Sequence, residues 1–171
     1  PARENGNSCK DDGIDAVAIT SYFTGGLNGR RILNEEREQY VEILRNWANN
    51  DRYGLDSVFS QLNTGKLLSL FQNFEDYSGV IPKLKENFDI YKSISRTHGV
   101  SILAYEGGQH LTVPYGVLFD NDEMHQFYRE INLDPRMTEL YSELIDLWNS
   151  YDFGIHLFYN NISQPSKWGN W

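Results

Sequence analysis

A single cysteine, Cys9, in 171 residues excludes an internal disulfide framework and a cysteine-based metal site. Positive charge is also scarce: 15 Lys and Arg stand against 24 Asp and Glu, leaving a net charge of -9. Such a chain lacks the basic face that neutralises a phosphate backbone, so no nucleic-acid partner is expected. No apolar run approaches the ~18 to 20 residues that span a bilayer, so no membrane partner is expected either. The four His are scattered, with neither an HExxH nor a His-x-His pattern, which argues against a catalytic metal. There is no Gly-x-Ser-x-Gly elbow, and one Cys without a partner pattern argues against thiol catalysis. Residues 25–30 (GGLNGR) have a spacing faintly like a phosphate loop. They lack the Gly-Lys-Ser/Thr ending, and no helix is expected directly after them, so no cofactor is expected. Pro1-Ala2-Arg3-Glu4 shows no initiating Met and no signal-peptide pattern. The polar stretch 1–12 reads as a loop leading into a strand, as in a piece of a longer chain.

What is present is a globular composition, 40% hydrophobic and 23% charged, at a length that suits one domain. Aromatic residues are abundant, with 11 Tyr, 9 Phe and 4 Trp. Three segments are short and nearly all apolar, and so read as buried parallel strands: 14–20, 100–106 and 155–160. Helical patterns fill the intervals. Asn34 is a fair N-cap for Glu35-Glu36-Arg37-Glu38, after which Tyr40, Ile43, Leu44 and Trp47 share one face. A second helix is expected from Pro82 to Gly99, burying Leu84, Phe88 and Tyr91. A third is capped by Asp134 and opened by Pro135, with an apolar stripe through Met137, Leu140, Tyr141, Leu144, Leu147 and Trp148. Shorter helices are expected over 55–62 and 67–74. This order implies an α/β fold built from parallel βα units. Three such strands alone would leave a large apolar face and two bare edges. The chain is therefore expected either to oligomerise or to form the last three strands, six to eight, of a TIM-type (β/α)8 barrel. In the barrel reading, residues 1–171 are one partial barrel domain whose partner is the remainder of the parent barrel.

The richest stretch is Ile102-Leu103-Ala104-Tyr105-Glu106-Gly107-Gly108-Gln109-His110. An apolar strand ends on a carboxylate, and two glycines are expected to turn the backbone sharply in front of it. Carboxylates at the C-terminal tips of parallel strands are where α/β enzymes keep their chemistry. Alternation along the strands groups Glu106 with Ala104 and Ile102, pointing inward. It likewise groups Tyr22 with Ala16, Ala18 and Thr20, and Asn160 with His156 and Phe158. Glu106, Tyr22, Asn160 and nearby Gln109 and His110 are then expected at one rim, with Trp168 and Trp171 as a stacking floor. Every polar member can accept from or donate to a hydroxyl-rich ligand. Blander readings exist: Glu106 as a structural acid, His110 as a loop-stabilising residue, His156 as a core histidine.

The Ala-Tyr-Glu-Gly-Gly-Gln-His strand end, the Ala-Ile-Thr-Ser-Tyr-Phe strand and the closing Trp-Gly-x-Trp loop together resemble the C-terminal part of a (β/α)8 glycoside hydrolase. The likeness is to the large clan of retaining enzymes with a nucleophilic Glu on strand seven, and it covers nearly the whole chain in element order. It implies that Glu106 is the nucleophile, that Tyr22 orients it, and that Gln109, His110, Asn160 and Trp168 contact sugar. It also implies a secreted or extracytoplasmic location. In that clan the acid/base is a Glu at the end of strand four, and no such strand is visible here. Retaining hydrolysis needs two carboxyl groups about 5 to 5.5 Å apart, so the chain is not expected to complete a double displacement unaided. Two other readings stay open: a non-catalytic carbohydrate-binding or degenerate barrel module, and a self-standing α/β domain that dimerises through its sheet edge.

Overall fold

The structure is a computed structural model that describes residues 9–114, 116, 118 and 120–159. It is a mixed α/β arrangement of a two-stranded parallel sheet and five helices. Strand β1 (Ala16–Phe23) is followed by α1 (Arg37–Ala48), α2 (Asp51–Thr64) and α3 (Val80–His98). Strand β2 (Ser101–Gln109) comes next, then α4 (Asp122–Leu133) and α5 (Pro135–Ser150). Both strands run about three residues further towards their C-terminal ends than their apolar cores imply.

The helices form largely where their patterns place them. In α1, Tyr40, Leu44 and Trp47 are buried, and Ile43 packs partly against the core. Helix α3 starts at Val80, so Pro82 sits in the first turn, where its missing N–H costs no helical bond. Gly99 ends it in a left-handed conformation. Asp134 caps α5, accepting from the Arg136 N–H, and Met137, Leu140, Leu144 and Trp148 are buried along it. The expectation for 67–74 needs correction. That stretch holds two single 3-10 turns, Lys66–Leu68 and Gln72–Phe74, instead of a helix.

The expected third strand is also corrected. Residues 155–159 run alongside β2 but form one parallel bridge only, His156 to Ala104. Backbone bonds from Ala104 N to Ile155 O and from Leu157 N to Ala104 O, each 2.9 Å, hold it there.

The strands are not covered on both faces, as their apolar runs imply. Val17, Ile19 and Phe23 of β1 and Ile102 and Ala104 of β2 belong to the helix-side core. Ala18, Thr20 and Tyr105 are exposed on the other side, as are Ile155, Leu157 and Tyr159. Along β2 the expected parity is overturned: Ile102 and Ala104 face the helices, not the face that carries Glu106. The cause is a register shift. Ile19 pairs with Ala104 but Thr20 pairs with Glu106, so Tyr105 is an extra residue that flips everything after it. The same correction holds for 155–159, where His156 and Phe158 pack towards α5. His156 lies 4.8 Å from the Trp148 ring, and Phe158 lies 5.3 Å from Tyr141.

The loop after β1 is held from three helices at once. Tyr40 of α1 donates to Gly26 O at 3.0 Å, and Gln61 of α2 donates to Gly25 O at 2.9 Å. Tyr128 of α4 donates to Leu27 O. Buried carbonyls need such partners, and these donors satisfy a loop that has no ladder of its own. Gly26 turns at φ +86, and a Cβ there would meet Phe74 Cε1 at 2.5 Å, so the backbone lies directly on the core.

Candidate active site

Because β1 and β2 are parallel, their C-terminal ends share one edge of the sheet. Tyr22 is the penultimate residue of β1, and Glu106 pairs opposite Thr20. Both therefore project from the open face near that edge. The Tyr22 hydroxyl donates a hydrogen bond to Glu106 Oε2. Burial, first, and then the hydrogen bond to Glu106 and its negative charge push the Tyr22 pKa well above its ordinary value of 10. The phenol thus stays protonated and remains a donor to the carboxylate.

His110 completes this group. Its ring lies 5.0 Å from that of Tyr22, tilted by 32°. Its pKa falls below 6.5, mainly through burial, then through the charge of Arg30, with Glu106 opposing both. The imidazole is accordingly neutral at neutral pH. A fixed carboxylate, a phenol that orients it and a neutral imidazole can present a nucleophile or base to a ligand on the open face.

The two glycines after Glu106 do not make the expected turn; both lie within β2. Gly107 leaves room on the helix side for a contact across the central strand, between Ser21 Oγ and His156 Nε2 at 2.6 Å. A Cβ at 107 would stand 2.0 Å from that oxygen and 2.8 Å from His156 Cε1. Gly108, at φ +110, makes room for the Tyr141 hydroxyl, which a Cβ would meet at 2.8 Å. These glycines thus admit polar side chains beneath the site. Sequence reasoning missed Ser21 and Tyr141 in this role, and the adjacent Gly-Gly was the available signal.

Gln109 is separated from the ligand-facing group. It is 4% exposed, its Oε1 accepts from Leu111 N at 2.6 Å, and its own N–H donates to the Tyr141 hydroxyl at 3.1 Å. The structure therefore uses Gln109 to hold the segment leaving β2. Asn160 and Trp168 lie outside the described residues. Asp122 and Glu123 occupy the first turn of α4, which Asn121 caps. Among the described residues, no helix is long and apolar enough to cross a membrane.

No family model matches the chain, and no curated protein or solved structure matches it.

Proposed function

We propose that this chain is the nucleophile-bearing part of a retaining glycoside hydrolase, forming the C-terminal part of a (β/α)8 barrel. The observation that carries the reading is the hydrogen bond from Tyr22 to Glu106 at the shared C-terminal edge of two parallel strands. The one-sided sheet supports it, since a barrel wall carries helices outside and its ligand-facing residues inside. In this reading Glu106 attacks the anomeric carbon of a bound glycoside. The C–O bond to the leaving group breaks as an ester to Glu106 forms, and water later hydrolyses that ester. Tyr22 holds Glu106 in line for the attack. The proton for the leaving group comes from an acid on the remainder of the barrel.

An activated fluorosugar with an aryl leaving group tests this on the chain as it stands, because such a leaving group departs without a general acid. The expected result is one glycosyl adduct, mapped by mass spectrometry to Glu106. It should be absent in E106Q and slowed about a hundredfold in Y22F. Adduct formation in E106Q at the wild-type rate would sink the assignment. Sugar binding without any adduct would favour the carbohydrate-binding reading instead.

A further inference from the structure

The loop between β1 and α1 builds a second recess. A pocket of about 120 Å3 opens among Asn28 and Arg30 of the loop, Arg37 and Tyr40 of α1, and the apolar Ile32 and Pro114. Neither Asp nor Glu lines it among the described residues. In a chain with a net charge of -9, two arginines beside an apolar recess without a carboxylate are an unusual local balance.

Their donors are also unspent. Arg31 and Arg136 spend their guanidinium groups inside the fold: Arg136 binds Asp56 and Asp134, and Arg31 donates to Asn73 O. The guanidinium groups of Arg30 and Arg37 make no ion pair or hydrogen bond among the described residues. Asn28 is buried, and its Oδ1 accepts from Arg30 N at 3.2 Å, which leaves its Nδ2 as a further donor at the pocket. The recess therefore offers unspent donors and no carboxylate to meet them. A planar guanidinium matches the paired oxygens of a carboxylate or a sulfate. The volume is below the roughly 300 Å3 of a pocket for a whole small ligand, and suits one substituent of a larger molecule. The recess and the Glu106 site are joined through β1, since Asn28 and Arg30 lie on the loop that leaves the strand carrying Tyr22. Tyr22 bonds Glu106 and packs on His110, a ring that also feels the Arg30 charge.

We infer that Arg30, Arg37 and Asn28 form a subsite for an oxyanion, the carboxylate or sulfate ester of an acidic saccharide whose neighbouring sugar lies at Glu106. This rests on the glycosidase reading of Glu106 and names the substrate class of that same site.

Calorimetric titration of the intact chain with four probes tests it: a uronic acid oligosaccharide, a sulfated oligosaccharide, a neutral oligosaccharide of equal length, and inorganic sulfate. At least one acidic oligomer should bind about tenfold more tightly than the neutral one, by an advantage that shrinks as salt rises. Which acidic oligomer binds identifies the oxyanion. R30Q and R37Q should each remove about tenfold of that affinity, and R30K should recover part of it. Both arginines are exposed, and an unchanged melting temperature checks that the variants fold. Equal binding of neutral and acidic oligomers, an acidic preference that survives R30Q and R37Q, or silence of all four probes overturns the inference. If neutral oligomers bind as well as acidic ones while the fluorosugar still labels Glu106, the subsite falls and the glycosidase reading stands. If inorganic sulfate alone binds, and R30Q abolishes it, the recess holds a free anion and the acidic-saccharide inference falls, while the fluorosugar adduct at Glu106 decides the glycosidase reading separately.

Discussion

Ser21 and Tyr22 are neighbours that serve opposite faces of one strand. Tyr22 fixes Glu106 on the open face, while Ser21 reaches beneath Gly107 to His156 on the helix face. The first pairing was expected from the resemblance to retaining glycosidases, which sets a tyrosine of one strand end beside the carboxylate of the next. Alternation alone does not give it, since β2 breaks its period before Glu106. The second pairing was not expected, because it joins residues 135 apart through the space a missing Cβ leaves. His156 carries a consequence for pH. Its Nε2 is bonded to Ser21, and its Nδ1 is buried without a partner among the described residues. Burial lowers its pKa below 6.5, and an imidazolium would hold a second N–H without an acceptor among the described residues. The unfolded chain therefore takes up protons at a higher pH than the folded one. This stability is fully present above about pH 6.5 and is lost as pH falls through the folded value. His110 acts in the same sense, whereas Asp89 and Asp134, lowered from 3.8, act only in stronger acid. The melting temperature should thus fall between about pH 7.5 and about pH 5, and fall less steeply in H156Q, whose amide can still bond Ser21. An identical slope in H156Q would remove His156 from this account.

At the scale of elements, apolar stripes and the helix ends at Gly99 and Asp134 were readable, whereas the start of α1 and the cross-links between helices were not. Asn34, the expected cap, lies in a 3-10 turn, and Glu36 takes the cap position. Asp134 reads as the cap of α5, and so it is. Arg136 shows what that reading leaves out. Its guanidinium bonds Asp134 Oδ2 at 2.7 Å, bonds Asp56 of α2 at 2.7 Å, and lies 4.3 Å from the centre of the Phe59 ring. One side chain thereby joins the start of α5 to the middle of α2. The stretch 67–74 shows the converse. Leu67, Leu68, Phe71 and Phe74 have helical spacing, but the backbone N–H groups of Leu68 and Gln72 are taken by Gln61 Oε1 and Glu36 Oε1. Side chains from α2 and the turn before α1 therefore outcompete helical bonds there. The cap and the cross-link at Asp134 can be separated. D134A removes both and should cost about 1 to 2 kcal/mol, read from the denaturation midpoint. D134N keeps a good capping side chain and loses only the charge facing Arg136, so its cost should be well under that of D134A. Equal costs would assign the whole effect to the ion pair and none to the cap.

For the whole molecule, the parallel order of the strands was legible and the identity of their faces was only half so. β1 keeps strict alternation, and its exposed and buried sets fall where period two places them. β2 does not, because Tyr105 has no partner on β1, and no local feature of an apolar run announces an extra residue. That one residue lets Ile102 and Ala104 face the helices while Glu106 faces out. The resulting sheet has one face in the core and one open, where Tyr105, Ile155, Leu157 and Tyr159 are each more than half exposed. The two faces differ in their tolerance of a polar atom. I102T buries a hydroxyl where the side chain is 1% exposed and should cost about 2 kcal/mol or more. I155T and L157T alter side chains already in water and should each stay within about 0.5 kcal/mol. Urea midpoints of the three variants at low protein concentration test this directly. If L157T is as costly as I102T, the open face is packed in solution. Repeating the series across protein concentrations would then show whether a second copy covers it, because only that cover weakens on dilution.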